Sequence, residues 1–306
     1  MKRKKSKKHR ALQLIRICVQ ILFFALFFSL LLDTHFPGED YIKRVEIFFH
    51  FDPLIALTTF LASRALVFSF GFAAITVIVT LVLGRVACGW VCPMGSFQQF
   101  FSFLFKKTKV LNPKKPKGAH TVWKYYILIF ILAGSLFSLN LVGILDPFSL
   151  LYRSFAVSIL PALSHVFSNV ISIFYQISLY SLGDSLVQFF ETLDVNAVFI
   201  QSFFLGVLFL GILLLNAVRE RFWCRYLCPL GAFLGILSRW NILKLQISED
   251  KCIKCNLCTI HCQTQADPYP REDWKSAECV YCFTCSSICP PGPSSSPSAS
   301  RPNPRS

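Results

Sequence analysis

Charge is what this sequence lacks where a water-soluble protein would carry it. Between Ala65 and Leu83 there is no ionised side chain, and from Asp146 to Asn196 Arg153 is the single Lys or Arg. Hydrophobic residues fill 54% of the 306 positions, and 32 positions are phenylalanine, too apolar a balance for a soluble chain of this size. Methionine is scarce as well, with two residues, one of them Met94. Because thioethers are favoured soft ligands for copper, that scarcity weighs against a copper site. A small-residue cleavage site is also missing after the first apolar run, where Leu31-Leu32-Asp33 stands. The run therefore reads as an uncleaved anchor rather than a signal peptide, despite the basic residues from Lys2 to Arg10 before it.

What is present is a set of long apolar runs. Four of them, about Leu12–Leu32, Ala65–Leu83, Tyr125–Leu145 and Ala197–Val218, match the roughly 20 helical residues needed to cross a hydrocarbon core about 30 Å thick. The net charge of +15 falls at their ends. Eight Lys or Arg lie between Lys2 and Arg16, and seven Lys lie between Lys106 and Lys124. By the positive-inside rule this places both termini and the middle loop in the cytoplasm, and such juxtamembrane clusters suit anionic lipid rather than nucleic acid. Two weaker stretches, Val45–Ala62 and Phe155–Ile177, read as interfacial or re-entrant helices on the outer side. Counting them as spans would separate two cysteine motifs that belong together.

Those motifs end the two halves of an internal repeat. Arg85-Val86-Ala87-Cys88-Gly89-Trp90-Val91-Cys92-Pro93-Met94-Gly95-Ser96-Phe97 aligns with Arg221-Phe222-Trp223-Cys224-Arg225-Tyr226-Leu227-Cys228-Pro229-Leu230-Gly231-Ala232-Phe233. Asp52-Pro53 and Asp146-Pro147 also match, although the second half carries roughly forty additional residues before its inward span. Both halves start on the same side, which makes this a parallel repeat about an axis along the membrane normal. The expected fold is mainly α: a four-transmembrane-helix bundle built from a parallel two-helix repeat, followed by a small C-terminal α+β two-cluster ferredoxin-like domain. Its boundaries are a basic cytoplasmic tail at 1–11, a membrane domain at 12–240, the ferredoxin-like domain at 241–290 and a disordered Pro/Ser-rich tail at 291–306.

Cysteine carries the chemistry. Two C-x₂-C-x₂-C-x₃-C runs comprise Cys252, Cys255, Cys258 and Cys262, then Cys279, Cys282, Cys285 and Cys289. In such a run three thiolates hold one cubane and the fourth reaches the other cluster. One 4Fe-4S cluster is therefore expected on Cys252, Cys255, Cys258 and Cys289, and a second on Cys279, Cys282, Cys285 and Cys262. Zinc sites pair C-x₂-C units across longer loops, and disulfides do not suit a reducing compartment. The domain departs from the ferredoxin pattern twice. Gln263 stands where proline usually follows the fourth cysteine, and the strand that would pair with about Leu243–Ile247 is missing after Cys289, so that the unit is expected to be marginal alone or the gene to end prematurely.

The upstream pairs, Cys88 with Cys92 and Cys224 with Cys228, are C-x₃-C-P-x-G motifs. Residues i and i+4 share a helix face, and the proline leaves both thiols near a helix end. A third iron–sulfur cluster shared by the four, a copper or other soft-metal site, and a redox-active dithiol all fit. The Asp-Pro dipeptides read first as N-caps with proline at the first helical position. His50 and His165 beside them are speculative candidates for a proton or quinone site on the outer side. Cys18, inside the first span, reads as a packing residue.

These four groups in this order resemble the NapH/NosR/CcoG-like polytopic membrane ferredoxins, over about residues 11–290. The resemblance implies a multi-pass protein of a bacterial or archaeal cytoplasmic membrane that passes electrons between a quinone pool, or a cytoplasmic donor, and a redox partner. It implies a component of an oxidoreductase rather than a stand-alone enzyme. Two other classes stay open: an assembly or metal-reducing factor that handles copper through the C-x₃-C-P pairs, and a redox-sensing membrane regulator.

Overall fold

The computed structural model describes residues 7–33, 48–64, 69–107, 122–139, 141–166, 200–247, 252–269, 274–289 and 295–299. The protein is mostly helical. Helix α1 (Lys7–Asp33) is followed by α2 (Pro53–Ser63), α3 (Ser69–Leu83), α4 (Val86–Trp90) and α5 (Pro93–Lys107). The second half supplies α6 (Trp123–Leu136), α7 (Val142–Leu145), α8 (Pro147–Arg153) with a π-helical continuation at Ser154–Ile159, and α9 (Ile200–Val218). A second π-helical turn at Trp223–Leu227 carries Cys224, and α10 (Pro229–Leu237) follows. The C-terminal unit holds β1 (Leu243–Ile247), α11 (Leu257–Ile260), α12 (Thr284–Ile288) and β2 (Ser295–Ala299).

Of the four expected spans, one helix among the described residues, Ala11–Leu32, is long and apolar enough to cross a membrane unaided. The expected span 125–145 is not continuous. Helix α6 stops at Leu136, where Leu139 N donates to Gly134 O at 3.0 Å and Ser138 N to Ser135 O at 3.1 Å, the paired bonds of a Schellman motif. Ser138 takes the left-handed position, with φ of 60°. A serine there, not the usual glycine, is why the apolar run concealed the stop.

The Asp-Pro turns are N-caps, as expected. Asp52 Oδ1 accepts from Leu54 N at 2.8 Å and Ile55 N at 3.2 Å, and Asp146 Oδ2 accepts from Phe148 N at 2.9 Å and Ser149 N at 3.0 Å. Thr76, in the middle of α3, donates to Phe51 O at 2.8 Å, so the first turn meets that helix halfway along. Helix α2 packs on α3 and α6. The core where the halves meet is closed by Phe27, Leu54, Met94, Ile131, Leu151 and Leu234. Cys18, expected to pack, is exposed instead among the described residues; it shares α1 with exposed Leu14, Ile15, Ile21 and Leu22.

The missing strand exists. β2 pairs antiparallel with β1, Leu243 opposite Ala299 and Ile247 opposite Ser295, so residues 295–299 of the expected structureless tail form a ribbon. Ladder bonds use backbone groups, which a Pro/Ser-rich composition still supplies. A two-stranded ribbon is edge on both sides and tolerates Pro297. The roughly forty additional residues of the second half, the lysine-rich loop at 108–121 and the rest of the tail lie outside the described residues.

Candidate metal centres

Each C-x₃-C-P-x-G motif folds as a short helical turn, a break and a new helix. Cys92 and Cys228 occupy the break, with Pro93 and Pro229 opening α5 and α10. The Cys228 sulfur caps its helix by accepting from Gly231 N at 3.2 Å, and Gly95 N plays the same part for Cys92. The glycine of the motif is dictated by crowding. A Cβ on Gly95 would lie 2.7 Å from the Cys88 carbonyl oxygen, and one on Gly231 would lie 2.9 Å from Arg85 Nη2 and 3.4 Å from Cys228 Sγ. N–H groups aimed at sulfur from a helix N-terminus favour the thiolate.

The two halves bring all four upstream cysteines together. Burial is the main cause that pushes the Cys92 and Cys228 thiols well up, and in both the charges of Cys224 and Cys88 add to it. Cys224 is pushed up to about 11 by burial, with Arg221 opposing. Thiols so placed stay protonated without a cation, and ligation releases their protons. Among the described residues no three His, Cys, Asp or Glu side chains reach the spacing of a single metal ion. The four are neighbours whose charges act on one another. Met94 is fully buried, and its counterpart in the second half is Leu230, which offers no thioether.

In the C-terminal unit, Cys262, Cys279, Cys282 and Cys285 line one largely apolar pocket with Trp274, Tyr281 and Phe283. These are the four residues the spacing rule assigns to one cluster. Burial pushes Cys279 up to about 12 and Cys285 well above its ordinary value. Ala266 N donates to Cys262 Sγ at 3.3 Å. Of the other set, burial raises Cys258 against opposing bonds from Thr259, with a small further push from Cys252; Cys255 is exposed, and Cys289 is half-buried at the end of α12, whose neighbour is α11.

One feature of these loops was not legible as chemistry. Lys254 and Asn256 flank Cys255 with φ of 55° and 54°, and Tyr281 and Phe283 flank Cys282 with φ of 48° and 54°. Positive φ at a tyrosine or phenylalanine is a true outlier that surrounding structure must hold in place. Its recurrence at matching positions shows both runs wound alike around their central cysteine, the fit expected for a pair of cubane sites.

The C-terminal unit is seated on the upstream motifs. A Cβ on Gly89, beside Cys88, would run into the carbonyl of Val280, beside Cys279. Trp90 Nε1 donates to Tyr281 O at 3.2 Å, Gln13 Nε2 to Ser287 Oγ at 2.8 Å, and Arg225 to Gln265. Arg85 Nη1 donates to Ala277 O at 2.6 Å, and Glu278 receives Lys124 Nζ at 2.5 Å. His50 stacks on Phe72 with ring centroids 6.3 Å apart, and His165 is exposed.

Residues 65–111 and 201–247 each match the family described as "4Fe-4S binding domain", and residues 245–266 match a second family of the same description. The uncharacterized protein MJ0750 of Methanocaldococcus jannaschii is 30% identical over 219 residues, 70% of this chain and 73% of that protein. The chain belongs to the NapH- and NosR-like family of ferredoxin-type 4Fe-4S membrane proteins. Within that family the uncharacterized protein MJ0749 of the same organism is 30% identical over 221 residues, 71% of this chain and 66% of the relative. The ferredoxin-type protein NapH of Escherichia coli is 25% identical over 249 residues, 78% of this chain and 71% of NapH. No solved structure matches. The first matched segments, 65–111 and 201–247, each hold the second apolar run and the C-x₃-C-P motif of one half of the repeat, so both C-x₃-C-P pairs of this ferredoxin-type chain fall within a 4Fe-4S family.

Proposed function

We propose that this chain is a membrane-embedded electron-transfer protein with three iron–sulfur centres. Two 4Fe-4S clusters are held by Cys252, Cys255, Cys258 and Cys289 and by Cys279, Cys282, Cys285 and Cys262, and a third by Cys88, Cys92, Cys224 and Cys228. When bound, the clusters supply one-electron chemistry at low energetic cost; the chain's contribution is placement, charge and exclusion of water. The observation that carries this reading is the seating of Val280, beside Cys279, on Gly89, beside Cys88. It sets the Cys279 loop of one ferredoxin set directly against the turn that carries Cys88.

The membrane arrangement is part of the same proposal. Four helices, α1, α3, α6 and α9, carry bands of exposed apolar side chains such as Leu22, Ile78, Phe130 and Phe203, which suit contact with lipid. At about 1.5 Å per residue, the 14 residues of α6 span roughly 21 Å, short of the hydrocarbon core, and the re-entrant turns thicken the apolar layer there. Electrons pass between a quinone pool or cytoplasmic donor and a redox partner, with the basic ends and the ferredoxin unit on the cytoplasmic side. A role in copper handling is less well supported, since Met94 has no thioether counterpart in the second half.

Anaerobic purification with iron and acid-labile sulfide counts and EPR tests this. Three clusters predict about twelve irons per chain, falling to about eight in Cys88→Ser. A parent protein with about eight irons, unchanged by Cys88→Ser, would sink the third centre.

A further inference from the structure

The repeat provides two equivalent arginines, Arg85 three residues before Cys88 and Arg221 three before Cys224, and the fold uses them differently. Arg221 Nη2 donates to Gln99 Oε1 at 2.5 Å, and its backbone N–H to Ser102 Oγ at 3.3 Å, both on α5. Arg85 turns toward the ferredoxin unit. It is 2% exposed, Nη1 donates to Ala277 O at 2.6 Å and lies 3.5 Å from Glu278 Oε2, and the charges of the guanidinium and Cys88 act on each other. Its charge acts as well on Cys228, from the other half.

Glu278 is shared between Arg85 and Lys124, so two buried cations meet one carboxylate. An uncompensated positive charge in a dry place is costly unless an anion is near. The sulfurs of Cys88 and Cys228 are the groups that can supply it. The crowding at Gly231 and Gly235 follows from the same guanidinium: Cβ atoms there would lie 2.9 Å from Nη2 and 3.7 Å from Nη1. Ala277 and Glu278 lead directly into Cys279.

The geometry points to Arg85 as the positioning residue that joins the four-cysteine centre to the cluster on Cys279, setting both their separation and the potential of the upstream site. This rests on the reading that the upstream cysteines hold a cluster. In the step it serves, one electron leaves one centre and enters the other; no bond forms and no proton moves. A fixed cation near Cys88 favours the more negative, reduced state of the upstream site, and its bond to the Ala277 carbonyl, two residues before Cys279, holds the two sites at one distance. Among the described residues Arg221 makes no such bond to residues 277–278; the second-half motif meets the unit through Arg225 and Gln265 instead, not at the entry to the Cys279 loop.

The test uses the anaerobically purified full chain, with iron counts, EPR-monitored redox titration and measurement of the spin–spin coupling between the reduced centres. Arg85→Gln, at unchanged iron content, is expected to move the upstream potential negative by at least a tenfold change in the electron's partition, about 59 mV for one electron, and to weaken the coupling. Arg85→Lys keeps the charge but not the fork; it recovers the potential and not the coupling. Arg221→Gln keeps the coupling. Unmoved potential and coupling in Arg85→Gln, or equal loss of coupling in Arg221→Gln, would overturn the proposal. Should Arg85→Gln lose iron, unchanged coupling in Arg85→Lys overturns it. A parent with about eight irons removes the upstream cluster and this proposal together, a result read before any variant is made.

Discussion

Asp52 and Asp146, the N-caps of α2 and α8 in opposite halves of the repeat, lie close enough that each carboxyl acts on the other. Each spends one carboxylate oxygen on its own helix, and the remaining ones, Asp52 Oδ2 and Asp146 Oδ1, are buried with no donor. Burial is the first cause that raises both carboxyls, and the charge of Asp52 raises Asp146 further; adjacent like charges in a dry site cannot both ionise, so a proton shared between the free oxygens is expected. The dipeptides that read as two separate caps thus form a single paired element.

Replacing Asp52 by Asn should therefore be mild. Asn caps as well as Asp and its amide can donate to Asp146, so stability should stay within about 1 kcal/mol. Infrared spectroscopy should lose the carbonyl band of a buried protonated carboxyl. Asp52→Ala removes the cap and the partner together and should cost about 2 kcal/mol or more in thermal unfolding. Equal melting of the two variants, or a retained carboxyl band in Asp52→Asn, would contradict the shared proton.

Gly89→Ala should unseat the ferredoxin unit. The obstruction is the Val280 carbonyl, a backbone atom that cannot swing aside, and overpacking of this kind costs about 1–3 kcal/mol. Limited proteolysis should release the C-terminal unit sooner than in the parent, while Gly71→Ala, which meets nothing within 4 Å, should behave as the parent does.

Glu278→Ala should be more damaging still. It leaves Lys124 and Arg85 buried without their carboxylate, and breaking a buried ion pair costs about 3–5 kcal/mol. Lower unfolding midpoints with the clusters in place, and a smaller loss when Lys124→Met is added, are the expected readings.

The apoprotein should lose stability as pH rises. Cys224 and Cys279 are raised to about 11 and about 12 by burial, and Cys92 and Cys228 are raised too. Against an ordinary thiol near 9, the folded chain holds more protons than the unfolded one across that window. Stability from these groups is then complete below about pH 8.5 and lost between there and the folded values. Denaturant midpoints of apoprotein should fall from pH 8.5 upward, and the fall should shrink in Cys92→Ser/Cys228→Ser. Iron–sulfur reconstitution should release protons, detectable in weakly buffered solution.

Much of the site could be read from spacing. The cysteine runs determine which thiols can meet, because chain geometry allows three closely spaced residues to face one centre and sends the fourth elsewhere. The C-P-x-G step determines a helix start with a sulfur cap, since proline favours the first turn and only glycine fits against the preceding carbonyl. The Pro/Ser composition of the C-terminal end misled, because ladder pairing depends on backbone groups that composition does not report. The stop of α6 was hidden for the related reason that a serine holds the left-handed position.

By itself, then, the sequence determined the cysteine motifs, their grouping and the repeat, which depend on local spacing and on side-chain chemistry. Only the tertiary structure decided that the two halves oppose their cysteines, that Asp52 meets Asp146, and that equivalent arginines part company, Arg85 to Ala277 and Arg221 to Gln99. Those outcomes depend on how two similar halves and a third unit pack. Packing breaks a symmetry that the aligned motifs alone leave intact.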